Sequence, residues 1–325
     1  MAHELWVVKG ATMTNITPLI GTISRRSNKD ELGEEITFDI AFNDVKHFPK
    51  NPCEIGDMVV LKNANYEITR ALIVDEDRSG ISPIGYTAFD FAFYLNKSSS
   101  IYQFRKMRAD QCIRKVVNDF GVPIGNIVSM PVGIDKIFPD DAPSDIIKEI
   151  IEFVEQKLGV KYLMEMRQGK LFIERQGDLV IKAMFKPFPD AFLMDATNAI
   201  ASPSRKRSIA DMVNSIQVVG NDDKLVLTRD DTAMVNKYGK LQKVVQLDQD
   251  EKRSAAEIAR NELKELSKVS EEVSIELLGD DSVRAGRLLV VNEPVTGIKG
   301  TYLINDVSHT ISGGIHKMSL GLGAR

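Results

Sequence analysis

Two stretches near opposite ends of this chain carry the same strand pattern in the same order. A chain that repeats strand order as well as strand chemistry is constrained to build one supersecondary unit twice. From residue 36 the apolar Ile36, Phe38, Ile40 and Phe42 fall on every second position, which lines one face of a strand. The segment 34–44 lies without gaps on 271–281, with three identities and seven further positions that keep chemical type. Gly56-Asp57-Met58-Val59-Val60-Leu61-Lys62 then matches Gly286-Arg287-Leu288-Leu289-Val290-Val291-Asn292, and Tyr66-Glu67-Ile68 with Ala71 matches Tyr302-Leu303-Ile304 with Val307. The offsets are 237, 230 and 236, so loop lengths differ while strands persist. Any two amphipathic strands after an acidic turn could match in one block; three blocks in one order predict a duplicated β-barrel. Two equivalent barrels per chain, closed into a ring of three, present six similar units about one axis.

Between the repeats the period changes. Ala109, Cys112, Ile113, Val116, Val117 and Phe120 share one helical face, and Gly121 stands where a left-handed cap is wanted. A second helix is predicted from Ser144 as N-cap, with Ile146, Ile147, Ile150, Ile151, Val154 and Leu158 on one face and a stop at Gly159. A hairpin of Tyr162-Leu163-Met164 and Leu171-Phe172-Ile173 turns at Gln168-Gly169. Phe89, Phe91, Phe93 and Leu95 alternate and predict a strand, the polar basic stretch 202–208 predicts a boundary near 205, and strands are expected at 213–219 and 225–227. Residues 250–268 predict a helix with Ala256, Ala259, Leu263 and Leu266 as its stripe. The expected fold class is α+β, mainly β: two similar small β-barrel domains with an α+β insertion between them. The domains are 1–95 (N-terminal barrel), 96–205 (middle) and 206–325 (C-terminal barrel with one long helix).

With 325 residues, 43% of them hydrophobic and 27% charged, the chain can bury a sizeable core over two or three domains. A net charge of −4 does not favour a polyanionic partner. The opening MAHELWVVKG lacks the charged and apolar regions of a leader, and no apolar run is long enough to span a bilayer, so cytosolic synthesis without membrane insertion is expected. Cys53 and Cys112 form no disulfide or zinc spacing and read as reduced thiols.

The histidines are His3, His47, His309 and His316; the last two, seven apart across a turn at Ser312-Gly313-Gly314, could face each other, but that segment shows no third metal ligand, and a solvated or packed pair is the expectation. The doublets Asp140-Asp141, Asp222-Asp223, Asp230-Asp231 and Asp280-Asp281 read as loop markers, since Asp favours turns, the alternative being a glycosidase pair, whose two acids need not be adjacent in sequence. No Gly-x-Ser-x-Gly, His-Glu-x-x-His or Walker-type motif is present. Arg205-Lys206-Arg207 could touch DNA, and a solvated linker or salt-bridging contact explains it more simply. We therefore expect no catalytic, cofactor-binding or metal residues, no cofactor and no enzyme activity.

The run Ser208-Ile209-Ala210-Asp211-Met212-Val213-Asn214, Tyr238-Gly239 with the charged helix after it, and the ending Gly300-Thr301-Tyr302-Leu303-Ile304-Asn305-Asp306-Val307-Ser308-His309 closed by Gly314-Ile315-His316-Lys317-Met318-Ser319-Leu320 resemble the baseplate hub proteins of contractile-tailed phages and defective prophage particles. Asp119-Phe120-Gly121-Val122-Pro123 and Gly169-Lys170-Leu171-Phe172-Ile173 fit as well. Among these the chain resembles the XkdQ/YqbQ-like proteins of Bacillus-type prophages, similar in turn to phage late control gene D proteins. This resemblance implies a homotrimer that adapts a six-fold tail tube to a trimeric spike, in a virion or phage-tail-like particle. Its implied partners are the tube and spike proteins and other baseplate proteins, with DNA only in transit through the channel. Lysozyme or spike fusions found in some relatives are not expected, because the chain ends at Arg325. The alternatives from other classes are a tail-associated cell-wall hydrolase and a monomeric carbohydrate-binding module.

Overall fold

Alternating apolar residues pair into sheets only when both strands offer the same face, and most of this chain does so. The computed structural model describes residues 3–41, 50–181, 184–185, 194–195, 201–220, 224–247, 254–293 and 295–324. The chain opens with strands β1 (His3–Lys9), β2 (Ile20–Asn28), β3 (Glu34–Ile40), β4 (Met58–Asn63), β5 (Tyr66–Asp77) and β6 (Ile84–Phe89). Then come α1 (Ala92–Lys97), β7 (Ser100–Arg108), α2 (Ala109–Asp119), β8 (Gly133–Asp141), α3 (Pro143–Leu158), β9 (Tyr162–Arg167) and β10 (Lys170–Arg175). Next are β11 (Ala201–Ser208), β12 (Ser215–Val219), β13 (Leu225–Asp230), α4 (Thr232–Tyr238), β14 (Gln242–Gln246) and α5 (Ala255–Leu266). The chain closes with β15 (Ser270–Leu278), β16 (Leu288–Glu293), β17 (Ile298–Ser312) and β18 (Ile315–Ala324). The protein is mainly β with few helices.

Two compact units are present: residues 1–203 together with 274–325, and residues 204–273. Thirteen strands among the described residues join one sheet, and the order β2-β3-β6-β5-β4 at one end recurs as β11-β15-β18-β17-β16 at the other. Strands paired in the sequence alignment hold the same places in both series. The correspondence stops beyond β4 and β16: β1 pairs antiparallel with β4, whereas the short strand Val180–Ile181 pairs parallel with β16. The two series are stitched together where β17 runs antiparallel to β2, from Asp306 opposite Asn28 to Ser312 opposite Thr22. Ile36, Phe38 and Ile40 point into a core with Leu5, Leu61, Ile68 and Ile73, and Ile311 of β17 enters the same core. The alternation repeats in β15, where Val273, Ile275 and Leu277 are buried. Each such side chain contributes about 1.5–3 kcal/mol on burial.

A second core joins α2 and α3 to the hairpin β9–β10, with Cys112, Ile113, Val116, Ile146, Ile150, Val154, Leu171 and Ile173 inside. Gly121 and Gly159 are left-handed at φ 65° and 68°, as the helix stops require. The hairpin turns at Gln168 and Gly169, both at positive φ, which suits the right-handed twist of its strands. Both cysteines are free and buried, and burial pushes their thiols up to about 12 for Cys53 and about 11 for Cys112. In the second unit α5 packs Ala259 and Leu263 on Ile216 and Val218 of the β13-β12-β14 sheet.

Several expectations are corrected. The alternation from Phe89 does not continue a strand: β6 ends there, Asp90 turns the chain by accepting from the Ala92 amide at 2.9 Å, and Phe93 and Leu95 belong to α1. Helix α3 begins at Pro143, with Ala142 in the cap position, because proline at the first helical position has no N–H to satisfy; Ser144 is inside the helix and buried. Leu158 is exposed, the last turn having rotated past the core. On α5 the apolar face is Ala255, Ile258, Ala259 and Leu263, the 3.6-residue period, and Ala256 faces water. Residues 202–208 lie in strand β11. Phe42, His47, Asp222-Asp223 and residues 250–253 lie outside the described residues.

Candidate functional site

The polar groups that the sheet encloses converge where the first strands meet the last hairpin, all within the first unit. Burial alternates along β17, so Val307, His309 and Ile311 share the inward face. His309 stands opposite Arg25 of β2 and opposite Met318 of β18, two residues on from His316. Diagonal cross-strand neighbours are within reach of long or aromatic side chains. Accordingly His309 Nδ1 and His316 Nε2 are 3.0 Å apart. The pair expected from the hairpin is real, and it has company the hairpin could not reveal. Asp281, in the turn after β15, lies 3.8 Å from His316 Nδ1 through Oδ1 and 3.0 Å from His3 Nε2 through Oδ2. Asn63 of β4 donates to Asp281 Oδ2 at 2.8 Å.

Gly279 makes room for this cluster. A Cβ there would lie 2.1 Å from the His316 ring, and the Gly279 amide donates to the His316 carbonyl at 2.8 Å. In the repeat, Gly279 aligns with Phe42, a position where residue type is not kept.

Hydrogen bonding sets the proton positions. The Val283 carbonyl can only accept, so His309 Nε2, 3.0 Å away, carries the proton and neutral His309 presents Nδ1 as acceptor. His316 therefore donates from Nε2, leaving its Nδ1 lone pair toward Asp281. Burial, with the Arg25 and His316 charges adding to it, keeps His309 well below its ordinary pKa of 6.5. Burial lowers His316 to about 4 against the pull of Asp281. Burial would raise the Asp281 carboxyl, but hydrogen bonds from His3 and Asn63 outweigh it and hold the group below the usual carboxylate range.

Beside this cluster runs an ion-pair network. Arg284 Nη1 donates to Glu34 at 2.6 Å and to the Met166 carbonyl at 3.1 Å, while its Nη2 reaches the Ile68 carbonyl at 3.1 Å. Arg25, 1% exposed, has Glu34 3.9 Å away and, among the described residues, no hydrogen-bond partner on either terminal nitrogen. Asp90 accepts from the Glu34 amide at 2.8 Å, and Arg287 binds Glu165 through two nitrogens at 2.6 and 3.2 Å. One arginine thus holds together β3, β5, β9 and the turn before β16.

The other singled-out residues are dispersed. Asp140-Asp141 end strand β8 instead of marking a loop. Asp230 ends β13 and Asp231 caps α4, accepting from the Met234 amide at 3.1 Å. In the basic triplet Arg205 binds Glu271 at 3.0 and 3.1 Å, Lys206 binds Glu272 at 3.2 Å and Arg207 lies 4.0 Å from Glu271, so all three charges face carboxylates across β11 and β15. A groove of about 840 Å³ lies in the first unit, and Glu155 on its wall is held by the Tyr162 amide and Lys161.

With this fold the chain is similar to the 43 kDa tail protein of prophage MuSo2 from Shewanella oneidensis, with a TM-score of 0.69, 12% identity and 98% of each chain covered. It is also similar to the E. coli c3393 protein, described as a type VI secretion component with structural similarity to T4 tail proteins gp27 and gp5 (TM-score 0.51, 9% identity, 94% of this chain and 73% of that one). At such identities the likeness is one of fold. The chain belongs to the YQBQ-like family, whose match spans residues 24–323. Two Bacillus subtilis (strain 168) relatives are each 24% identical: the uncharacterized protein YqbQ over 98% of this chain and 95% of its own length, and the phage-like element PBSX protein XkdQ over 82% and 80%.

Proposed function

We propose that this chain is a structural baseplate hub protein of a phage or phage-tail-like particle. Three copies close a ring that adapts a six-fold tail tube to a three-fold spike. The observation that carries this reading is the recurrence of one five-strand pairing order at both ends of the chain. Two look-alike five-strand series per chain let a trimer offer six similar docking units. Its relatives' phage context and the tail-protein fold support the same role, and the location that goes with it is the tail tip of the particle. Partners are further copies of the chain, the tube and spike proteins and other baseplate proteins, with DNA in transit only. No described helix is long and apolar enough to cross a membrane. The function rests on surfaces: ring interfaces of this kind bury on the order of 1,600 Å² or more. The protein is proposed to be no enzyme.

Mass in solution tests the reading. Light scattering or analytical ultracentrifugation should find three copies of the 36.2 kDa chain at high concentration or with a tube or spike protein added. A species that stays monomeric in both conditions contradicts the proposal. Clearing of a peptidoglycan zymogram that one carboxylate substitution abolishes would favour the hydrolase instead.

A further inference from the structure

Among the described residues, one group of side chains is arranged as metal ligands: His3, Asp281 and His316, whose ligand atoms all lie within 4.8 Å of one another. They come from the first strand, a turn 278 residues later and the last strand. Hydrogen bonding accounts for His3 on Asp281 and for the direction of the His316 ring, but not for the His316 Nδ1 atom, which faces Asp281 Oδ1 at 3.8 Å.

The relay from Val283 through His309 decides that orientation. With Nε2 of His316 donating to His309 Nδ1 at 3.0 Å, its Nδ1 lone pair is turned to Asp281 Oδ1 at 3.8 Å, a gap too long for a hydrogen bond. A tetrahedral zinc ion with bonds of about 2.0–2.1 Å holds its ligand atoms about 3.3 Å apart. Two of the three separations, 3.2 Å from His3 Nε2 to Asp281 Oδ1 and 3.8 Å from that oxygen to His316 Nδ1, bracket this value, and the third lies within 4.8 Å. Asp281 Oδ2 is meanwhile held by Asn63, the usual outer partner of a ligating carboxylate. His309 plays the corresponding part for His316, since a metal-bound imidazole donates its other N–H to an acceptor. The T-shaped contact of the His3 and His316 rings, 4.7 Å between centroids at 75°, is compatible with both pointing a nitrogen at one centre. Arg25 opposes a cation, but Glu34 at 3.9 Å and the neighbouring Asp280 offset it.

We infer that His3 Nε2, Asp281 Oδ1 and His316 Nδ1 form a binding site for a divalent transition metal, of which Zn(II) fits the imidazole and carboxylate donors, with His309 and Asn63 orienting the ligands. His3 passes its Nε2 proton to Nδ1 on binding, so no net proton is released there. The ion ties strand β1 to the C-terminal hairpin.

The test uses the full chain without a histidine tag, stripped with chelator and titrated with Zn(II) in a calorimeter. One ion per chain should bind, raise the melting temperature, and give the visible spectrum of a tetrahedral site when Co(II) replaces it. His3→Gln and His316→Gln should each weaken binding tenfold or more, and His309→Gln by about 10–100-fold through the relay. His3→Gln loses a buried contact to Asp281 and its metal-free melting temperature should fall somewhat, but its circular dichroism should match the parent chain, so that lost Zn(II) binding reports the ligand and not the fold. No saturable binding, or Zn(II) affinity unchanged in both His3→Gln and His316→Gln, overturns the proposal; unchanged affinity in His309→Gln overturns the relay.

Discussion

Asp90 is fully buried, and its burial together with the neighbouring Glu34 charge pushes its pKa up to about 7, against the backbone amides that favour the anion. Its ordinary value is 3.8, so between these two values the folded chain holds a proton the unfolded chain has released. Stability therefore falls as pH rises through this window, and the loss is complete once the folded group ionises above about 7. Asp90→Asn removes the titration. Urea midpoints at about pH 5 and about pH 8 should show the parent losing more stability than the variant as pH rises; equal losses in both would contradict the assignment. A different constraint acts at Gly279, where a methyl group would meet the His316 ring at 2.1 Å. Gly279→Ala should cost about 1–3 kcal/mol by thermal or urea unfolding, as overpacking of a tight contact does. The histidine pair was legible from its hairpin. Asp281 was visible only as half of a doublet, and His3 had no local signal, because nothing in a sequence brings residues 3 and 316 together.

At the scale of elements, the periods were readable wherever one face meets a core. The stripe of α2, the strands β3 and β15 and the hairpin β9–β10 all follow their alternation or 3.6-residue spacing. The errors fall at element ends, where a few polar contacts decide. Asp90 diverts a run of aromatic residues from strand into helix, and Pro143 moves a helix start by removing the need for a cap. Helix α5 shows the opposite case: Ser254 and Glu257 form a complete capping box, the Ser254 hydroxyl accepting from the Glu257 amide and Glu257 accepting from the Ser254 amide. Ser254→Ala should destabilise this helix by about 1 kcal/mol, measured as faster amide hydrogen exchange in the first turn of α5, while amides of β3 and β17 remain unchanged.

At the scale of the whole molecule, two stretches of similar sequence end in one sheet, joined along β2 and β17. Closing that seam brings together residues about 280 apart, which costs loop entropy that only long-range contacts repay. The Arg284 network and the histidine cluster are among those contacts, so the polar groups expensive to bury are also the ones that specify how the ends meet. The trimer expected of the hub role should be concentration-dependent for the isolated chain and strengthened by a tube or spike protein, because partner binding shifts assembly by mass action. The sequence by itself determined the strand repeat, the helical insertion and most buried faces, since periodicity records locally which side of an element leaves water. Only the tertiary structure decided that β2 and β17 are neighbours and that His3, Asp281 and His316 share one place, because pairing across hundreds of residues is chosen by the packing of whole sheets and leaves no local trace.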